Sequence, residues 1–418
     1  MKVFYLARIF SGLESSFMSG QWSPTGVPTI YRVIEKIDKK YNTCFVFTAK
    51  DSGVGYFSSW NSHKDKIISV DGLNHDVTII SGINFFPIWM SRKFRIILRE
   101  IRQTGLILYK IYKFKPDILY CDNANIIIAA LFSRMQKHTS VVFRVMGVNN
   151  FMHTSVTNPK IYQRIYRWAY SSPFSLAICT QDGSGVEKWV NQALSVNTRK
   201  EILLNGVDTL VLPDNVDLNL TQIKKNKIII LFVGKLEKYK GCYEFVEAVL
   251  SLVTKKVLNI HALIIGSGTE EEGLKNLISN ADANNFFTFI KHLPHSQILY
   301  AHSICDIYIS MNYLGNLSNA NLEAIQSNDC MVIPSPQKHK GIDKITASLL
   351  GNSVVTVPIN SPDKLLNALI TLINSKSKRE EMSKNIMKRK KNFIWSWEDR
   401  INTELCIIES LGGTLVDE

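Results

Sequence analysis

The densest chemistry in this sequence lies in the segment Phe232-Val233-Gly234-Lys235-Leu236-Glu237-Lys238-Tyr239-Lys240-Gly241. An apolar run ends in a glycine that lets backbone approach a ligand, Lys235 and Lys240 follow five residues apart, and Gly241 opens a helix with outward-pointing N–H groups. Two ammonium groups beside such a tip suit a diphosphate; taken alone, the segment fits a solvated loop with ordinary surface lysines equally well. A second segment, Gly315-Asn316-Leu317-Ser318-Asn319-Ala320-Asn321-Leu322-Glu323-Ala324, places Ser318 as an N-cap whose helix offers free N–H groups to an anion. Glu323 follows on the second turn between apolar neighbours, where a carboxylate must either reach water or accept hydrogen bonds from hydroxyls. Ile264-Ile265-Gly266-Ser267-Gly268 is a further glycine-bearing strand end, a G-x-G without the third glycine of a dinucleotide fingerprint. Near the start of the chain, Gly12, Gly20 and Gly26 line a long polar loop that offers another approach site for a phosphate or an acceptor.

Those residues need a scaffold that gathers strand ends. Short β-branched runs alternate with stretches of helical periodicity, the pattern of parallel sheets covered by helices on both faces. In the first half, strands are expected at 3–9, 43–48, 77–80, 117–121, 140–145, 175–180 and 201–204, with helices near 27–39, 94–114, 125–136, 160–170 and 185–194. A polar, lysine-rich stretch from Leu212 to Lys227 reads as a linker. The alternation then restarts, with strands at 228–233, 260–265, 286–290, 306–310, 331–333 and 354–357, and helices near 243–254, 270–280, 319–326, 342–350 and 364–374. The expected fold class is α/β: two tandem doubly wound Rossmann-like domains, 1–205 and 206–385, facing a cleft, with a C-terminal helical segment 386–418 returning to the first domain. Ligands of such sheets sit at the carboxyl ends of the strands, which makes the cleft the default site. The run Lys388-Arg389-Lys390-Lys391 reads as a solvated helix face.

Composition narrows the partners. The 418 residues are 45% hydrophobic and 20% charged, which excludes disordered, collagen-like and disulfide-scaffold classes. Forty-nine basic against 36 acidic residues give a net charge of +13, a balance that attracts phosphates, nucleic acid or an anionic membrane without choosing among them. The seven cysteines, odd in number and without C-x-x-C or histidines at zinc-ligand spacing, are expected to be reduced thiols of a cytosolic protein with no metal site. The apolar start, broken at Arg8, is too short for a signal peptide, and no apolar run approaches the roughly 20 residues that span a bilayer, so a cytoplasmic location is expected. Phe85-Phe86-Pro87-Ile88-Trp89-Met90 leads into Arg92, Lys93, Arg95, Arg99 and Arg102, while Phe94, Leu98, Ile101, Leu108 and Tyr112 recur at helical spacing. This stretch is expected to make peripheral contact with an anionic membrane at the inner face of the cell membrane; an amphipathic helix packed on the sheet is the alternative.

Taken together, these segments resemble the retaining GT-B glycosyltransferases of glycosyltransferase family 4. The matching residues are, in order, Asn205-Gly206-Val207-Asp208, Gly234-Lys235 with Lys240-Gly241, Gly266-Ser267-Gly268, Cys305-Asp306-Ile307, Ser318-Asn319 through Glu323-Ala324, and Ser396-Trp397-Glu398. The resemblance implies a metal-independent hexosyl- or glycosyltransferase with no cofactor. Its donor substrate would be a nucleotide sugar, expected to be a UDP-sugar, and its acceptor a glycan or lipid-linked glycan in cell-surface polysaccharide biosynthesis. It further implies that Lys235 and Lys240 hold the donor diphosphate and neutralise the leaving nucleotide, and that Glu323 accepts hydrogen bonds from the ribose. Gly234, Gly266, Asn316, Leu317, Ser318 and Asn319 would line the donor, the Ser318-Asn319 turn through its backbone N–H groups. In the first domain, Gly26, Arg144, Met146, Gly147 and His153 are the expected acceptor or cleft residues. His153 is read as a displaced general base or, more in keeping with a loop histidine, a solvated side chain.

Three departures from the family pattern stand out. The first Glu of E-x7-E falls on Gly315, with Asn316 or Asn319 as replacements; a His-Gly is here Met146-Gly147; and G-x-P-V is here Asn328-Asp329-Cys330-Met331. Two other classes compete. A basic nucleic-acid-binding protein without activity lacks support, since no zinc finger, RNP-like aromatic strand or basic zipper is present, and no nucleic-acid partner is expected. A nucleotide-sugar epimerase of the same architecture needs acid/base carboxylates and histidines that the sequence does not locate.

Overall fold

A computed structural model describes residues 1–412 apart from 51–63, 84–85, 88, 137, 209–214, 217–219, 221–222 and 224–226. The chain forms two compact units, one built from Met1–Thr180, Trp189–Leu203 and the segment from Trp397, the other from Gln181–Lys188 and Leu204–Ser396. The expected linker lies largely outside the described residues.

The first unit runs β1 (Lys2–Arg8), α1 (Ser11–Ser19), α2 (Pro28–Lys40), β2 (Asn42–Thr48), β3 (Lys66–Ile68), β4 (Val77–Ile80), α3 (Arg92–Phe114), β5 (Ile118–Asp122), α4 (Ile126–Met135), β6 (Ser140–Val145), α5 (Asn150–Thr157), α6 (Gln163–Tyr170), β7 (Leu176–Gln181), α7 (Val186–Ala193) and β8 (Arg199–Leu204). Its sheet has the order β3-β4-β2-β1-β5-β6-β7-β8. β1 pairs in parallel with β2 and β5, while β3 is antiparallel to β4. Val3 to Ala7 are buried on both faces, as a strand covered on both sides requires. In α2, Pro28 opens the helix, and Ile30, Val33, Ile34 and Ile37 form an inward stripe against Ile401, Leu405 and Ile408 of the C-terminal helix.

The second unit runs β9 (Ile228–Val233), α8 (Cys242–Thr254), β10 (Ile260–Ile265), α9 (Glu271–Asn280), β11 (Phe287–Ile290), α10 (His295–Ile304), β12 (Ile307–Ile309), α11 (Asn319–Ser327), β13 (Met331–Pro334), α12 (Lys344–Leu350), β14 (Val355–Val357), α13 (Pro362–Asn374) and α14 (Lys376–Lys390); α15 (Trp397–Glu409) then completes the first unit. The sheet order is β11-β10-β9-β12-β13-β14, parallel throughout. Ile230 and Phe232 of β9 enter one apolar core and Ile229 and Leu231 the other, so alternate residues supply both faces. Strand order reverses between β9 and β12. A crevice therefore opens outside their carboxyl ends, where Gly234 and the loop beginning at Ser310 follow directly.

The expected fold class, two Rossmann-like α/β domains with a helical C-terminal segment, is the one found. The elements that escaped the sequence reading are short or polar. α1 occupies the expected loop and buries only Leu13 and Phe17 among its apolar residues; α5 carries His153; α10 and β3 are additional. Along α3, Phe94, Ile97, Ile101, Tyr109 and Tyr112 are exposed, while Arg99, Gln103, Ile107 and Ile111 face inward. Glu100 explains the inward arginine, because Arg99 Nη2 lies 2.7 Å from one carboxylate oxygen and Lys50 Nζ 2.6 Å from the other. Phe85 and Ile88 of the expected lead-in lie outside the described residues. The basic run of α14 is also partly engaged: Lys390 donates to the Gln326 carbonyl and Arg389 to that of Leu349, satisfying carbonyls near the ends of α11 and α12. All seven cysteines are free. Among the described residues no helix is long and apolar enough to cross a membrane.

Candidate functional site

In the second unit the glycine-bearing loops after β9 and β10 run together. The Gly234 N–H donates to the Ile265 carbonyl at 3.0 Å and the Leu236 N–H to the Ser267 carbonyl at 3.0 Å. A Cβ on Gly266, whose φ is +145°, would stand 1.9 Å from the Gly234 oxygen. Gly266 therefore permits a close approach that fixes the Gly234 loop.

A single 3₁₀ turn, Lys238–Lys240, then carries the chain to α8. Lys235 is exposed, and Lys240 is mostly enclosed. Burial pushes the Lys240 ammonium below its ordinary range, Asp182 opposes that shift, and the Lys235 charge adds to it. The two lysines are thus close enough to sense each other. An arrangement with two ammonium groups crowded at a sheet's switch point attracts an anion of more than one charge.

The loop after β12 is built by its own side chains. Asn316, fully buried, accepts from Ser310 Oγ at 2.9 Å and donates through Nδ2 to the Asn312 carbonyl and to Asp343 Oδ2, at 2.9 and 2.7 Å. The Leu317 side chain is fully buried in the core, and its N–H donates to the Asp182 carbonyl at 3.0 Å. Both were expected on the donor; the structure commits the Asn316 side chain to the loop and the Leu317 side chain to the core. Ser318 takes the N-cap position, φ −68° and ψ 163°, without a side-chain cap, which leaves the first N–H groups of α11 for another acceptor. Asn205 Nδ2 donates to Asn319 Oδ1 at 2.6 Å, and Trp395 Nε1 donates to the Leu204 and Asn205 carbonyls at 3.2 Å each, so the stretch beginning Asn205-Gly206 is tied to the same helix tip.

Glu323 keeps 17% of its side chain exposed and lies 3.8 Å from His295 Nδ1, whose Nε2 is 3.3 Å from Asp208 Oδ2. Burial raises the Glu323 carboxyl, His295 and His302 counter it, and Asp208 adds to the rise. The result is a largely buried carboxylate near two imidazoles, an acceptor for hydroxyl donors.

Sequence reasoning missed His295 and Asp182. His295 opens α10, an element left unread. Asp182 belongs to Gln181–Lys188, which follows β7 in sequence but belongs to the second unit. Only the Asp182-Gly183-Ser184-Gly185 turn signal marked it, and no local pattern reports a partner more than 100 residues away.

The first-unit residues are spread over a strand, loops and a helix. Gly26, φ +88°, is exposed beside Gly12, whose carbonyl accepts from Thr25 N–H at 2.9 Å. Met146, half-buried, packs on the core, and Gly147, φ +119°, follows it. His153 sits on α5, capped by Asn149, where a loop was expected. Arg144 is corrected outright. It is completely buried, with Nε 3.3 Å from Glu404, which also takes Arg400 at 2.7 Å and the Tyr120 hydroxyl at 2.7 Å. Burial would raise the Glu404 carboxyl, but the two guanidinium groups overcome it and hold it low. Arg144 is a structural charge, closed to any ligand.

The glycosyl transferases group 1 family matches residues 217–389. An uncharacterized glycosyltransferase from Methanocaldococcus jannaschii is 30% identical over 175 residues, which cover 41% of this chain and 43% of that protein, less than half of its length. Sucrose-phosphate synthase from Thermosynechococcus elongatus superposes with a TM-score of 0.69 at 12% identity, over 99% of this chain and 100% of that one. Anabaena HepE in complex with UDP does so with a TM-score of 0.66 at 15% identity, over 98% and 100%. At these identities the likeness concerns the fold, two Rossmann-like units of the GT-B class. The stretch that resembles the glycosyl transferases group 1 family, residues 217–389, carries both lysines, Gly266, the Ser318 helix tip and Glu323.

Proposed function

We propose that the protein is a retaining glycosyltransferase of the family 4 type that moves a sugar from a UDP-sugar to a glycan or lipid-linked glycan in cell-surface polysaccharide biosynthesis. The reading is carried by Lys235 and Lys240 after β9 and the uncapped tip of α11 after β12, strands that flank the switch point, with Glu323 on that same helix and all of them inside the family-matched region. Cleaving a glycosyl phosphate bond builds negative charge on the departing diphosphate. Two ammonium groups and a helix N-terminus take up that charge without a metal ion. Glu323 accepts the ribose hydroxyls, and the nucleotide sugar is a substrate, so the reaction calls for no cofactor. UDP as the nucleotide draws support from HepE, solved in complex with UDP and glucose.

Release of UDP from a panel of UDP-sugars, followed by proton NMR of the glycoside formed, tests the reading. The anomeric configuration of the donor is expected in the product, and inversion would contradict retention.

Two exposed stripes support peripheral docking on an anionic membrane at its cytoplasmic face. One is the outer face of α3, with Phe94, Ile97 and Ile101 beside Arg92 and Lys93; the other is around α6, with Ile161, Tyr162, Ile165 and Trp168 beside Lys160, Arg164 and Arg167. Both α3 and α6 pack against α4 and so share one layer of the first unit. Each basic residue near such a surface contributes about 1 kcal/mol. Co-sedimentation with phosphatidylglycerol vesicles, weakened by salt, is expected; equal binding to neutral vesicles would contradict it.

A further inference from the structure

The segment Gln181–Lys188 is wedged against the loop after β12. Besides the bond from Leu317, the Asp343 N–H donates to the Gly183 carbonyl at 2.8 Å. A Cβ on Gly315, whose φ is +129°, would lie 2.5 Å from the Asp182 oxygen and 2.5 Å from Gly183 C. Position 315, where the family resemblance expects a glutamate, is therefore closed to any side chain, and the space is filled by backbone from this segment. That same segment brings one carboxylate with it.

We propose that Asp182 is a donor-specificity residue, its carboxylate accepting hydrogen bonds from hydroxyls of the transferred sugar. The inference rests on the reading of this unit as a nucleotide-sugar site and deepens it. Asp182 and Lys240 are near enough that each charge favours the other, which places the carboxylate beside Lys240. The Ser184 N–H donates to Asp182 Oδ1 at 3.0 Å and fixes its orientation, and the residue remains partly exposed. A carboxylate repels a diphosphate, so phosphate recognition is not its use. The rest of a nucleotide sugar is a row of O–H donors, and a carboxylate accepts these through short, charge-assisted bonds. Of the two replacements the sequence suggests, the Asn316 side chain is consumed by Ser310, Asn312 and Asp343, and Asn319 Oδ1 accepts from Asn205 Nδ2.

The test is titration calorimetry on the full chain with UDP, UDP-glucose, UDP-galactose, UDP-N-acetylglucosamine and UDP-glucuronate, comparing wild type with Asp182→Asn. Asparagine keeps the acceptor for Ser184, and an unchanged melting temperature checks the fold. The Kd of the best-bound UDP-sugar is expected to rise about 10- to 100-fold, the range for one hydrogen bond to a charged group. The Kd of UDP should change less than about threefold. Equal effects on UDP and UDP-sugar, or none on either, would overturn the assignment. If the asparagine variant does not fold, Asp182→Glu takes its place and is expected to reorder the four sugars; an unchanged order overturns the assignment. A wild-type protein that binds neither UDP nor any of these sugars overturns the donor reading itself, and Asp182 falls with it.

Discussion

Replacing Lys240 with methionine keeps the apolar stem and removes one charge from the lysine pair. Lys240 is largely enclosed, with Asp182 as its favourable neighbour and Lys235 as its unfavourable one. A phosphate charge 4 Å from an ammonium is attracted by about 4 kcal/mol at an effective dielectric of about 20. Loss of the ligand's own hydration offsets part of this, and hydrogen bonds to charged groups are worth about 1.5–3 kcal/mol net. The Kd for UDP should therefore rise about 10- to 150-fold. Without nucleotide the change is small, because the substitution relieves burial of an ammonium and its repulsion from Lys235 while taking from Asp182 its cation. Calorimetric titration with UDP reads the first quantity, and a thermal melt without ligand reads the second. The melting-temperature rise that UDP produces in wild type should shrink in the variant by mass action. A UDP affinity within about threefold of wild type, with the same ligand-induced shift, would refute the placement of the diphosphate at this lysine.

Glu323→Gln should erase most of the discrimination between UDP and 2′-deoxy-UDP, because a neutral amide accepts the ribose hydroxyls more weakly; paired titrations that show the same ratio in wild type and variant would remove Glu323 from the ribose. Glu404→Gln leaves Arg144 and Arg400 buried without their carboxylate and should lower stability by about 3–5 kcal/mol, read as a fall in the urea midpoint. Burial, assisted by the charge of Lys227, lowers His261 to about 4. An unfolded histidine titrates near 6.5, so between about 6.5 and about 4 the unfolded chain binds more protons. Stability from this residue is therefore lost as pH falls through that window, and His261→Gln should flatten the decline in unfolding free energy measured by urea titration at pH 7 and pH 5.

Much of this molecule was legible because its signals are local. β9 and β10 match their sequence-read bounds to the residue, since a short, predominantly apolar run rich in isoleucine and flanked by turn residues reads as a strand of a parallel sheet. The lysine segment and the Ser318 helix were legible for the same reason, each being a strand end followed by a cap. What escaped depends on pairing across long separations. Asn316 was expected to face the donor, yet a carboxylate 27 residues later, Asp343, holds it inside. Arg144 read as a cleft residue because nothing near it in sequence announces Glu404, 260 residues on, as its partner. Gly315 registered as a missing carboxylate; the reason for it, the Asp182–Ser184 backbone filling that space, becomes visible only in three dimensions. In α3, helical spacing identified an apolar stripe of which Phe94, Ile101 and Tyr112 are exposed, whereas the inward position of Arg99 was not legible, because it depends on Glu100 and Lys50.

The central claim concerns where a pyrophosphate sits, and the crystal structure of the protein grown with UDP addresses it most directly. Density for the diphosphate is expected within hydrogen-bonding reach of Lys235 and Lys240 and of the first N–H groups of α11, with the ribose hydroxyls on Glu323. UDP bound elsewhere, out of reach of both lysines, would contradict the account.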